Sequence, residues 1–299
     1  VSWTYYLQSY YNYLRLEKGL STNTLSAYRN DITRYLHYME QERGIADPKL
    51  ITLETIREFL QYLSETYSLN DLSQARNISS IRSFHLFLLQ ESYTQSNPAE
   101  FIDLPKITRK LPEVLSVDEI DAIFAACDMS DPLGRRNRTM LELLYSSGLR
   151  VSELVNLRMN HIFLNEGIVR VIGKGNKERL VPLGESAKTQ IEHYLHDRLQ
   201  QATQKDGEGI LFLNRRGSRL TRNMVFMIIK KLCDQAGIEK CVSPHTFRHS
   251  FATHMIEGGA DLLAVKEMLG HESVTTTEIY LHMDGNYLRQ VHAEFHPRG

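Results

Sequence analysis

The chain has 299 residues, room for two domains of ordinary size, and its 42% hydrophobic and 24% charged content is that of a soluble globular protein. Its longest apolar runs are too short to span a bilayer. Thirty-five Lys and Arg against thirty-six Asp and Glu leave a net charge of −1, which excludes a uniformly basic surface, so any nucleic-acid partner has to be met by local clusters of cations.

Residues 1–104 read as helical throughout. The opening segment is rich in tyrosine and lacks a basic n-region and a small-residue cleavage site, so no signal peptide is expected. Leu25, Tyr28, Ile32, Tyr35, Leu36 and Met39 recur every three or four residues and make one apolar face, with Ser21 or Thr22 as its N-cap. Ile56, Phe59, Leu60 and Leu63 form a second stripe, and Ile78, Ile81, Phe84, Leu88 and Leu89 a third. The expectation is a bundle of about four short helices whose aromatic residues are core. Arg29, Arg34, Arg76 and Arg82 lie off the stripes and are candidates for DNA phosphates. Asn97-Pro98 ends the bundle. Residues 105–112, with two prolines and the cations Lys106, Arg109 and Lys110, read as a basic linker able to lie along a phosphate backbone.

A second domain is expected over residues 113–299. Ser116 and Glu119 form a capping-box pattern, and helices follow near Asn137–Ser147 and Val151–Asn156. The period then changes to two. Ile168–Ile172 and Leu180–Leu183 flank the turn Gly173-Lys174-Gly175-Asn176-Lys177 as a β-hairpin. Helical patterns return at 185–201, 221–236, 246–257, 262–269 and 286–293, with Gly258-Gly259 and Gly270 as stops. The fold class expected is mainly α with a small β-hairpin or sheet in the carboxy-terminal domain. Further basic clusters are Arg135-Arg136-Arg138, Lys174-Lys177-Arg179 and Arg215-Arg216-Arg219-Arg222; each alone reads as a solvated face, and Lys177, Arg179 and Arg222 are retained as DNA-contact candidates. Cys127, Cys233 and Cys241 have no metal-ligand spacing and read as free thiols of a reducing cytoplasm.

Six residues stand out in order: Arg150, Lys174, His245, Arg248, His271 and Tyr280. With their surroundings, Gly148-Leu149-Arg150, the lysine between two glycines, His245 three before Arg248, Gly270-His271, and a tyrosine nine residues on, they resemble the active site of the tyrosine site-specific recombinases. The flanking text and the terminal His296-Pro297-Arg298-Gly299 resemble the Xer class, nearest its XerD branch. The resemblance covers nearly the whole chain and is strongest beyond Leu111. It implies a helical core-binding domain and a catalytic domain that clamp duplex DNA. It also implies chemistry through a 3′-phosphotyrosyl intermediate and a Holliday junction, without metal or other cofactor.

Phosphodiester cleavage without metal needs fixed cations at the phosphoryl oxygens, an in-line nucleophile and a proton for the leaving 5′ oxygen. The resemblance gives the first role to Arg150 and Arg248, whose planar forks suit phosphate oxygens. It makes Tyr280 the nucleophile and Lys174 the general acid, with Lys177 as the rival lysine on the same turn. His245 and His271 contact phosphate or handle the tyrosine proton, and sequence does not divide those roles. Glu153, one turn after Arg150, orients it or merely pairs with it. The tail from about 284 to 299 either finishes its own core or, as the resemblance implies, docks into a neighbouring subunit. The implied partners are a duplex recombination site, a tetramer with itself or a paralogous Xer recombinase, and a DNA translocase as activator. The rival readings are a phage or mobile-element integrase, a type IB topoisomerase-like enzyme, and a DNA-binding module without catalysis.

Overall fold

The computed structural model describes residues 2–67, 69, 71–103, 113–173, 177–270 and 285–299. The chain divides into two compact units, Val1–Lys110 and Leu111–Gly299. Among the described residues no helix is long and apolar enough to cross a membrane.

The first unit is built from α1 (Trp3–Leu16), α2 (Thr22–Gln41), α3 (Leu53–Tyr67) and α4 (Asp71–Gln90). Ser21, not Thr22, caps α2 and accepts from Thr24 N. Two of the four helices run to 20 residues, longer than the stripes alone predict. The expected stripes face inward: Ile32, Tyr35, Met39, Ile56, Phe59, Phe84 and Leu88 are all buried, with Tyr35 edge-on to Phe59 and Tyr10 edge-on to Phe84. Two polar pairs lie inside this apolar packing. Tyr35 Oη meets His85 Nε2 at 2.8 Å, and burial pushes the His85 pKa down to about 3, so that imidazole stays neutral. Asp31 on α2 is buried and accepts two bonds from Arg76 and one from Ser80 Oγ, each 3.0 Å, which ties α2 to α4.

Arg76 was a candidate for DNA phosphates; its fork is instead engaged with Asp31, because a buried carboxylate left unpaired is costly. Arg76→Ala is expected to lower stability to urea by about 2 kcal/mol, below the usual buried-pair cost because half of the Arg76 side chain faces water. The salt dependence of DNA binding should not change. A phosphate contact would instead lower that slope by about one. Arg29 and Arg34 lie over the rings of Tyr11 and Tyr67, and Arg82 is exposed.

The second unit opens with α5 (Val117–Ala125), whose capping box is complete: Glu119 N donates to Ser116 Oγ, and Ser116 N to Glu119 Oε2. Next comes α6 (Pro132–Ser146), which starts five residues before its expected beginning because Asp131 caps it and Pro132 occupies its first position. Met140, Leu141, Leu143, Leu144 and Tyr145 are all buried, so the second half of α6 is enclosed nearly all round. The short α7 (Val151–Val155) leads to an antiparallel sheet, order β1 (Ile162–Phe163), β2 (Ile168–Ile172), β3 (Glu178–Pro182). The two-residue β1 was not anticipated. Register pairs Val169 with Val181 and Val171 with Arg179. The remaining helices are α8 (Glu185–Gln200), α9 (Arg222–Gln235), α10 (Pro244–Gly258), α11 (Leu262–Leu269) and α12 (Gly285–Phe295), of which α8 and α10 pack against α6. Gly259 and Gly270 end α10 and α11 in the left-handed conformation, as their positions suggested.

The arginine cluster at 135–138 is not a solvated face. Arg135 pairs with Asp197, Arg136 is buried and donates to Leu213 O and Asn137 Oδ1, and Arg138 pairs with the buried Glu142. In the described residues the tail packs on its own domain, the first of the two readings given above. Leu288 and Val291 are buried in their own domain, and His292 Nε2 lies 2.6 Å from Ser146 O. Arg298 Nη1 reaches both Glu142 oxygens at 3.3 Å and Ser186 Oγ at 3.1 Å. The guanidiniums of Arg138 and Arg298 both lie over the Phe124 ring, at 4.5 and 4.7 Å. The apolar stripe of α12 is thus covered by α10, α11 and β3 of the same chain.

Candidate active site

Gly148 turns the chain out of α6 at φ 55°, where a Cβ would come within 2.6 Å of the Phe251 ring. That turn delivers Arg150 to the N-cap of α7. Its backbone N–H donates to Glu153 Oε2 at 2.8 Å, and its Nη1 to Glu153 Oε1 at 2.9 Å. Glu153, only 3% exposed, is gripped from the other side by Arg179 of β3, with Nη1 2.7 Å from Oε1 and Nη2 2.9 Å from Oε2. Burial pushes the Glu153 carboxyl up, but the bonds from Arg179 and Arg150 outweigh it and hold the group below the ordinary carboxylate range.

Arg248, buried in the first turns of α10, comes to the same place from the opposite side, with Nη1 2.5 Å from Gly148 O and Nη2 2.6 Å from Leu269 O. Desolvation, reinforced by the charges of Arg150 and Arg179, lowers its pKa to about 10, which leaves it protonated at neutral pH. The three guanidiniums share one target, the last carbonyls of α11. Arg179 Nε donates to Met268 O, Arg248 to Leu269 O, and Arg150 Nη2 to Gly270 O at 2.8 Å. The negative end of a helix suits them. Three cations against one carboxylate leave a local surplus of positive charge, which is the electrostatics required where an anion gains charge.

The structure therefore brings together Arg150, Arg248 and the orienting Glu153. His245 is exposed on the first turn of α10, one turn before Arg248. Lys174, His271 and Tyr280 lie outside the described residues, as do Lys106, Arg109 and Lys110. Lys177, the residue before β3, and Arg222, at the first position of α9, are exposed. Arg179, expected among the DNA contacts, is turned inward. Its side chain is 9% exposed and faces the interior of the site rather than DNA. The signal was available: Arg179 is two residues from the buried Val181 on one strand, so alternation turns both to the same face.

Comparison with known proteins agrees with this architecture. Residues 113–286 match the model of the phage integrase family, and residues 7–92 match the phage integrase N-terminal SAM-like domain. Tyrosine recombinase XerD of Oceanobacillus iheyensis is 44% identical over 98% of this chain and 99% of its own length. Tyrosine recombinase XerD of Chlorobaculum tepidum is 45% identical over 99% and 98%. Among solved structures, XerA recombinase shares 30% identity over 98% of this chain and 99% of its own, with a TM-score of 0.51. A lambda integrase dimer bound to a core site has the same fold at 19% identity, TM-score 0.69, over 95% and 98%. The helical first unit and the arginine cage of the second are those of an enzyme that breaks and rejoins DNA strands, a site-specific tyrosine recombinase. The chain belongs to the phage integrase family.

Proposed function

We propose that the enzyme recombines a specific duplex DNA site by the Xer route, in a tetramer with itself or a paralogue, and that it resolves chromosome dimers in the cytoplasm with a DNA translocase as activator. The observation that carries this reading is the convergence of Arg150 and Arg248 on one point, with Glu153 orienting the first. In the proposed chemistry these guanidiniums take the non-bridging oxygens of the scissile phosphate. Tyr280 attacks phosphorus, the bond to the 5′ oxygen breaks, and that oxygen leaves with a proton from Lys174. His245 and His271 share phosphate contact and the tyrosine proton. The bond energy is kept in the 3′-phosphotyrosine, so a 5′ hydroxyl from a second duplex can reverse the step and exchange strands. Arg29, Arg34, Arg82, Lys177 and Arg222, with Lys106, Arg109 and Lys110 of the linker, are proposed to hold the DNA backbone. A plasmid carrying two copies of the site tests the reading: deletion products are expected, whereas relaxation without exchange would make the enzyme topoisomerase-like.

The acid has its own test. Proton donation to a leaving alkoxide is typically worth ~10²–10⁴ in rate. A 5′-bridging sulfur leaves as a thiolate, whose parent acid has a pKa of about 8.5, and needs no proton. Lys174→Ala is expected to cut ordinary DNA very slowly and to regain most of its rate on the phosphorothiolate. Arg150→Ala should stay slow on both, and Lys177→Ala should show at most a modest binding defect. Rescue of Lys177→Ala instead would exchange the two lysines.

A further inference from the structure

We infer that Arg179 is a positioning residue of the strand-cutting reaction, setting Arg150 through Glu153 and setting the end of α11 through Met268; this rests on the assignment of Arg150 to the scissile phosphate. Arg179 bonds both of these partners. Its two terminal nitrogens each take one Glu153 oxygen, and its Nε takes Met268 O. Glu153 in turn fixes both the backbone N–H and the guanidinium of Arg150. Arg150 therefore has its direction set by a carboxylate whose own direction is set by Arg179. A lone carboxylate could rotate, but one gripped by a fork at both oxygens cannot.

The other end of the bridge is equally close. Gly270 caps α11 at φ 63°, and a Cβ there would approach Arg179 Cδ to 3.0 Å and Nε to 3.1 Å. The glycine that opens the path to His271 is thus packed directly on the Arg179 side chain. On the neighbouring strand Arg170 pairs with Glu178 instead. Burial of the Arg179 fork also removes it from the backbone-holding role first expected of it.

The test separates positioning from folding. Replacing one non-bridging oxygen of the scissile phosphate by methyl makes that group neutral, so it no longer depends on a correctly placed Arg150. Arg179→Lys keeps the charge and loses the two-point grip. It is expected to bind a half-site as wild type does and to form covalent adduct on phosphate DNA on the order of 10²-fold more slowly. On the methylphosphonate its rate should match wild type, and Arg150→Ala should show the same rescue. Equal loss on both substrates, or no loss on phosphate, would overturn the inference. Failure of Arg150→Ala to be rescued would instead overturn the assignment of Arg150.

Arg179→Gln supplies an independent readout. Glu153 is faced by Arg150 at the start of α7, Arg179 of β3 and Arg248 of α10. Without Arg179 its burial is opposed mainly by Arg150, so its pKa rises and the carboxylate is lost as pH falls. Cleavage by this variant should climb with pH across a range where the wild-type rate is flat. A pH profile parallel to wild type would also overturn the inference.

Discussion

Tyr280→Phe is expected to bind its site as wild type does and to form no covalent adduct on a nicked suicide duplex. The substitution removes one oxygen and nearly no volume, so the loss is one of chemistry. An adduct requires a phosphorus–oxygen bond to the enzyme, and a phenyl ring has no atom with which to make it. Denaturing gel shift of radiolabelled duplex checks the result, with half-site binding as the control. Residual adduct at a wild-type rate would assign the nucleophile to another of the fifteen tyrosines. Tyr35, Tyr145 and Tyr194 are poor substitutes, since desolvation holds each phenol above its ordinary pKa.

Deletion of residues 285–299 has the second large effect, and the structure changes what should be expected of it. A tail that served only a neighbour could be removed with loss of cooperative half-site filling and nothing else. This tail completes its own core. Burial of Leu288 and Val291 is worth roughly 1.5–3 kcal/mol each. Removal of Arg298 from the fully buried Glu142 adds about 3 kcal/mol, even with Arg138 still at 3.5 Å. Together these reach the order of 5–15 kcal/mol that usually holds a whole domain together. The truncated chain should therefore lose its cooperative melting transition and with it all cleavage. Arg298→Ala alone should melt several degrees early and still cut. A truncated protein with the wild-type transition would show that these contacts do not hold the domain.

What could be read from sequence follows a physical division. The stripes at 25–39, 56–63 and 78–89 were legible because a helix with one wet face repeats every 3.6 residues. The hairpin was legible because a strand repeats every two. Arg150 and Arg248 stood out because their spacing and neighbours carry the family pattern, and Glu153 because it lies one helical turn after Arg150. What failed was the partner of each charge. Arg76 and Arg136 look like any surface arginine until folding brings up Asp31 and Leu213 O, which lie 45 and 77 positions away; for Arg179 alternation with Val181 gives the face but not the partner Glu153. The α12 stripe was visible, but periodicity says only that an apolar face is covered, not by which chain. The early start of α6 is a different case: Asp131-Pro132 is a readable start signal, but it lies ahead of the first apolar period.

The placement of Arg298 also orders events in time. Its ion-pair partners Asp121 and Glu142 precede it by 177 and 156 positions. At ordinary elongation rates a ribosome takes about 10–30 s to cover such a distance. Throughout that interval Glu142 is made but its main counter-ion is not, and the groove that α12 fills is open. The cutting domain is therefore assembled late, after the first unit has had time to fold as a local four-helix structure. A nascent chain therefore carries its strand-cutting chemistry in unfinished form until Arg298 has been made.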